Sequence, residues 1–468
     1  MNMSITGKKR TPIQPAILTR EDKKRFNKDL LTLAVPLALQ NLLGALVGAS
    51  DALMLGRLNQ ASIAAVSLAN QISFIMSLFT GSVIGAISVL IAQYMGKGDQ
   101  RNTQRFFAMG IRYAFGISVV FFLLAFCIPE QLMRIFTPEE ELIRIGSEYL
   151  RIVSFSYLFM GISQPYLMVM RTSGRVKTSL WISAVTVIVD MTADFFLIYG
   201  VGSWKGLGAN GSAYSTIAVE VIALSICIVE SMQKDHIHPD RSSMRFCSKD
   251  FERDIWKVIP GMLASALSWG LSMTMHQFIL GHMGTDATAA ASVTGVATQM
   301  IQCVSMGLAA GGGIILGKML GRDEFAMAKA YGKRFFRVSF INGLINAGLL
   351  LIVGPLVYFF YALEPQAKTY LIQMLAYNML YMFAFAYNTI YTVGVFPAGG
   401  DSRYDAISVI IATWCFAIPL SLLGCFVFHW PVMVVYMVMC CDEIIKFPFI
   451  YLRFNTDIWV KNLTRSEG

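Results

Sequence analysis

Residues 58–96 read LNQASIAAVSLANQISFIMSLFTGSVIGAISVLIAQYMG, and these 39 residues contain no Asp, Glu, Lys or Arg. A helix that crosses a bilayer needs about 20 predominantly apolar residues, so this run holds one full crossing with residues to spare. Seven further charge-free runs occur, at 30–50, 152–170, 258–285, 287–317, 338–363, 369–400 and 406–441. Over all 468 residues the chain is 55% hydrophobic and 14% charged, with a mean hydropathy of +0.57. A soluble chain carries about 25% charged residues. A soluble enzyme and a disordered chain are therefore excluded, and the protein reads as a polytopic membrane protein.

Turn residues and charges divide it into twelve helical spans, near 29–56, 62–93, 106–128, 147–170, 178–200, 208–230, 254–281, 287–317, 335–361, 369–396, 405–428 and 430–452. With the N-terminus inside, the cytoplasmic segments hold 32 Lys and Arg, against six on the other face: Arg57, Arg134, Arg144, Arg151, Lys205 and Lys368. That asymmetry places both termini in the cytoplasm of a cell inner (plasma) membrane protein. The net charge of +9 is concentrated in this pattern. Residues 1–28 alone carry eight basic side chains with no apolar core or cleavage site, so they read as a retained cytoplasmic tail rather than a signal peptide. The excess charge is a topology signal, and no nucleic-acid partner is expected.

A shift of 225 residues lays the chain on itself. It puts Gly56 on Gly281, Ala64-Ala65 on Ala289-Ala290, Ser67 on Ser292, Gly96 on Gly321 and Gly174 on Gly399. Val35-Pro36 falls one residue out of step with Ile259-Pro260. The constant offset, with six spans per half, implies two parallel six-helix repeats, a transporter-like design. The expected organisation is a tail (1–28), a first lobe (29–231), a polar linker (232–253), a second lobe (254–455) and a C-terminal tail (456–468). The eight cysteines show no CxxC spacing and the five histidines no ligand spacing, so neither metal catalysis nor a cofactor is expected.

Ionised side chains inside a membrane cost several kcal/mol and are functional by default. Asp51 lies about 22 residues into the first span, and it pairs with Arg57 at the interface or serves a buried site. Asp190 and Asp194 stand i, i+4 on one helix face, about 6 Å apart. Two such charges in a low dielectric require a shared proton or an intervening cation, or else they line a watered cavity. Pro36 and Pro260 each either bend their helix or sit in its first turn. Glu443 and Lys446, with Asp442, read as an ion pair at the cytoplasmic end of span 12.

The order of several segments resembles the multidrug and toxic compound extrusion (MATE) transporters: AVPLALQNLLGALVGASDALMLGRL (34–58), AQYMGKGD (92–99), RTSGRVKTS (171–179), DMTADFFLIYG (190–200), GLGANGSAYST (206–216), LGKMLGRDE (316–324) and PAGGDSR (397–403). The resemblance runs from about residue 28 to the end. It implies a secondary antiporter that exports organic, cationic amphipathic compounds in exchange for Na+ or H+, by alternating access between two lobes around a central cleft. It implies further that Asp51 and Asp194 match the family's ion-coupling carboxylates, and so are candidate Na+ ligands, and that Thr216 matches a hydroxyl facing the same pocket. Asp190 stands where the family usually has Asn. Glu220 lies outside the family pattern and either joins the site or reaches a basic partner. A second branch of the family carries acids on spans 7 and 10, and this chain has none there: residues 258–280 and 369–396 contain no Asp or Glu. His276, the repeat partner of Asp51, is either packed and neutral or a titrating group. The partners implied are small organic molecules and the lipid bilayer, with a monomer as the working unit. A lipid-linked oligosaccharide flippase is the rival reading; such proteins resemble fourteen-span chains with a cationic cavity, whereas this chain has twelve spans and buried acids.

Overall fold

The computed structural model describes residues 13–465 apart from 203, 234–235, 241, 244–248 and 361–362. Lys8, Lys9 and Arg10 of the expected tail, part of the expected linker and the last three residues of the C-terminal tail lie outside the described residues. The fold is all-α. Helices α1 (Arg20–Gly56), α2 (Gln60–Lys97), α3 (Gln100–Cys127), α4 (Glu140–Ser173), α5 (Val176–Tyr199) and α6 (Ala209–Ser231) form the first set. The second set is α7 (Lys249–His282), α8 (Thr285–Gly321), α9 (Phe325–Phe360), α10 (Pro365–Ala398), α11 (Ser402–Phe426) and α12, in two pieces, Val432–Met439 and Cys441–Asn455. The first eleven are long and apolar enough to cross a membrane. A two-stranded antiparallel hairpin, Gly200–Val201 with Trp204–Lys205, joins α5 to α6.

Two elements begin or break where their side chains compete with the backbone. Helix α1 starts at Arg20, ahead of the expected residue 29, because Thr19 and Asp22 form a reciprocal cap. Thr19 donates to Asp22 Oδ2 from N at 2.8 Å and from Oγ1 at 2.7 Å, while Asp22 N donates to Thr19 Oγ1 at 3.1 Å. Pro36 therefore lies well inside the helix, and Pro260 likewise lies inside α7; the first-turn alternative does not hold for either. In α12 the Asp442 carboxylate takes the Glu443 amide at 2.8 Å, which competes with the helical ladder beside the break at Cys440.

The chain packs as two compact units. The N-terminal unit comprises Gln40–Ile91 and Asp99–Ile255. The C-terminal unit holds everything from Trp256, together with Ala92–Gly98 and the chain up to Leu39. The first part of α1 thus belongs with the second half, inside the limits expected for the first lobe. The cause is close helix packing through small residues. A Cβ on Gly307 of α8 would stand 2.6 Å from Ala34 O and from Ala38 N, and one on Gly311 would stand 3.2 Å from Ala34 N. Glycines one turn apart on α8 let the backbone of α1 approach at Ala34 and Ala38. Aromatic side chains fill the rest of that core: Phe26 of α1 meets Tyr331 and Phe335 edge-on at 4.7 and 5.1 Å. The N-terminal unit has its own core around Met76, Met133, Leu150, Val153 and Tyr157.

Candidate functional site

Helix α5 carries two carboxylates on one face, Asp190 and Asp194, which are 6% and 1% exposed. Helix α1 runs beside it and is tied to it at two heights. Gln40 Nε2 donates to Ser179 Oγ at 2.7 Å, and Tyr199 Oη donates to the Met54 carbonyl at 2.6 Å. The upper tie sits three residues beyond Asp51 and five beyond Asp194, so it holds these two carboxylates at matching levels. The result is a cluster in which one carboxylate oxygen each from Asp51, Asp190 and Asp194 lies within 4.8 Å of the others. Helix α6 contributes Ser215, whose hydroxyl lies 3.3 Å from both Asp190 Oδ1 and the Asp190 carbonyl.

Two atoms of the cluster are shielded from solvent and receive no hydrogen bond: Asp51 Oδ1 and Asp194 Oδ1. A buried acceptor without a donor costs free energy, and two such acceptors in one carboxylate cluster suit a positive guest. The donor set is all oxygen, which fits a hard cation. At 4.8 Å and an effective dielectric of about 20, each ionised pair repels by about 3.5 kcal/mol, and there are three pairs. The geometry can therefore bind Na+ or a proton and can be pushed apart when neither is there.

The other candidate residues fall in different places. Asp51 makes no ion pair with Arg57 among the described residues, and Arg57 is exposed. Thr216 spends its hydroxyl on the Ser212 carbonyl at 3.0 Å, while its neighbour Ser215 reaches Asp190. Sequence reading missed Ser215, although the GSAYST segment carried the signal in three adjacent hydroxyl-bearing positions. Glu220 accepts from Ser163 Oγ of α4 at 3.0 Å, and no basic side chain pairs with it among the described ion pairs. His276 lies in the C-terminal unit on α7, half-buried, with a shielded Nε2 that has no hydrogen-bond partner. Pro36 denies the Thr32 carbonyl its helical partner, fifteen residues before Asp51. Asp442, Glu443 and Lys446 form the expected ion pairing, but Glu443 and Lys446 are each only 6% exposed, so the group is internal rather than solvated at an interface.

A family model described as MatE matches residues 36–196 and 260–423, one match in each set of six helices. Curated relatives include the probable multidrug resistance protein YoeA of Bacillus subtilis (strain 168), 24% identical over 88% of this chain and 89% of its own length. The uncharacterized transporter YisQ of the same organism is 20% identical over 97% of this chain and 99% of its own. Among solved structures, an outward-facing multidrug resistance MATE family transporter of the MOP superfamily superposes with a TM-score of 0.82 at 17% identity, covering 92% of this chain and 96% of its own. A MOP superfamily transporter from Pyrococcus furiosus Vc1 (DSM3638) gives the same TM-score and coverage at 16% identity.

Proposed function

The chain belongs to the MatE family of multidrug efflux transporters, and from that premise we propose that it is a secondary active antiporter. It exports organic, cationic amphipathic compounds in exchange for Na+ or H+, and Asp51, Asp190 and Asp194 bind the coupling cation. The observation that carries this reading is the convergence of three carboxylates on one point, with Asp51 Oδ1 and Asp194 Oδ1 lacking any donor. A bound cation offsets repulsions of about 3.5 kcal/mol per pair, a bias of about two to three orders of magnitude for each of the two pairs that link α1 to α5. Pro36 supplies the bend below Asp51, because the helical ladder is already interrupted there. Cation entry draws α1 to α5 and cation loss releases it, which couples ion movement to alternating access.

All three carboxylates come from one chain, which supports a monomer as the working unit. The 32-to-6 split of basic residues supports a plasma-membrane protein with both termini in the cytoplasm. The test is transport in inverted vesicles of a fluorescent organic cation such as ethidium, under imposed Na+ or H+ gradients. Wild type should respond to at least one gradient, Asp51→Asn and Asp194→Asn should lose gradient-driven flux at normal membrane abundance, and His276→Ala should retain most of it. Wild-type flux that survives collapse of both gradients would sink the antiport reading. Full activity of both Asp variants would move the coupling site elsewhere.

A further inference from the structure

The C-terminal unit holds a second set of charges within the helix bundle, with Glu443 and Lys446 buried and Asp405 and Asp442 half-buried. On α12, Glu443 and Asp442 precede Lys446 by three and four residues, so all three share one helix face. The Lys446 ammonium pairs with Glu443 Oε1 and stands 3.8 Å from Asp442 Oδ2. Asp442 also accepts from Thr413 Oγ1 of α11 at 3.2 Å. Asp405, near the start of α11, interacts electrostatically with Lys446 and Glu443. It accepts from Ser265 Oγ of α7 at 2.6 Å and has no cation within ion-pair distance among the described residues.

This network contains three carboxylates and one ammonium. The other titratable groups facing it are Tyr377 and Tyr381 from α10 and Tyr436, Cys440 and Cys441 from α12, none of which brings positive charge. A desolvated surplus of negative charge is costly unless something compensates it. A second observation points to a missing positive group. Asn388 of α10, 2% exposed, donates its amide to Glu443 Oε2 and to the Glu443 carbonyl, both at 2.6 Å. Its Oδ1, on the same amide, is shielded and has no donor. The backbone around the network is also irregular. Helices α10 and α11 widen into π-helical turns at Ile390–Val395 and Ile410–Ala417, and α12 breaks at Cys440. Such turns concentrate at functional sites because they redirect backbone and side-chain groups.

We propose that this network is a second cation site, in which Asp405, Asp442 and Glu443 bind one exchangeable monovalent cation, H+ or Na+, beside the tethered ammonium of Lys446. Its acids come from α11 and α12, while α7 and α10 supply only uncharged groups, Ser265 from α7 and Asn388, Thr392 and the two tyrosines from α10. The proposal does not rest on the reading of Asp51, Asp190 and Asp194, and its test is run in their absence.

The test uses purified full-length protein carrying Asp51→Asn, Asp190→Asn and Asp194→Asn, reconstituted in lipid. One arm follows the carboxylic-acid C=O infrared band on a pH jump, and the other measures binding of radioactive Na+. One cation-dependent signal should remain in this triple variant and disappear when Asp405→Asn is added. A pH-dependent band without Na+ binding assigns the proton, and saturable Na+ binding assigns sodium. Lys446→Met in the same background should raise cation affinity at least tenfold, since the tethered competitor is gone. Monodisperse elution and an unchanged melting profile for Asp405→Asn establish that loss of signal is not unfolding. A triple variant with neither signal, or a signal indifferent to Asp405→Asn, overturns the proposal. An unchanged cation affinity in a folded Lys446→Met protein overturns it as well.

Discussion

The 225-residue repeat has a physical consequence at one helix crossing, where single methyl groups can test it. Gly96 lies in the last turn of α2, and its repeat partner Gly321 ends α8. A Cβ on Gly96 would stand 2.0 Å from the Lys318 carbonyl oxygen, and a Cβ on Gly321 would stand 1.9 Å from that of Gln93. Gln93 and Lys318 are themselves 225 residues apart, so the crossing is nearly symmetric and each glycine accommodates the other helix's backbone. Ordinary contact requires about 3.4 Å, so either Ala variant forces the helices apart by about 1.4 Å against rigid carbonyls rather than flexible side chains. Overpacking of this kind costs about 1–3 kcal/mol for each substitution. Once the helices have separated for one methyl group, the second adds little. The double variant should therefore fall short of the sum by at least about 0.5 kcal/mol. Thermal unfolding of Gly96→Ala, Gly321→Ala and the double variant in detergent and in nanodiscs measures this. Gly116, with no atom within 4 Å of a built Cβ, is the control: its Ala variant should be neutral or stabilised by about 0.5–1 kcal/mol. Single variants that melt like wild type, or strict additivity in the double, would refute the shared-crossing argument.

Asp190→Asn should stay active and keep its cation dependence, because Asp51 and Asp194 still converge. It removes two of the three repulsions of about 3.5 kcal/mol, so half-maximal efflux should need at least tenfold more coupling cation and vary less across a pH series. A variant as inactive as Asp194→Asn would make Asp190 an obligatory ligand. In a background without native cysteines, single cysteines at Ser242 and Thr464 should label only from the cytoplasmic side and one at Gln366 only from outside. Labelling of all three from one side would end the twelve-span arrangement with both termini inside.

Much of the fold was legible because its causes are local. A helix in lipid satisfies its own backbone groups, so span number and length follow from charge-free runs such as 58–96. The start of α1 has a local cause too, the Thr19–Asp22 cap, but charge-free runs alone put the helix start near residue 29 and left the place of Pro36 open. The i, i+4 spacing of Asp190 and Asp194 likewise made their shared face readable from the chain alone. The 225-residue offset, carried by glycines and alanines, reported the duplicated architecture for the same reason.

Partnership across helices was decided only by tertiary packing. Spacing says which side chains share a face, but not which neighbour that face meets. Ser215 and Thr216 are adjacent in sequence, yet a helix turns about 100° per residue, and only Ser215 meets Asp190 while Thr216 meets its own backbone. Asp51 joins Asp190 and Asp194 because Gln40–Ser179 and Met54–Tyr199 tie α1 to α5 over 139 and 145 residues of chain. Glu443 and Lys446 carried the right spacing for a surface pair, and the helices around them made the pair internal. Asp405 and Asn388 showed no sequence relation to that pair. They meet it because α10 and α11 converge on α12, and convergence of distant segments is a property of packing that no local pattern encodes.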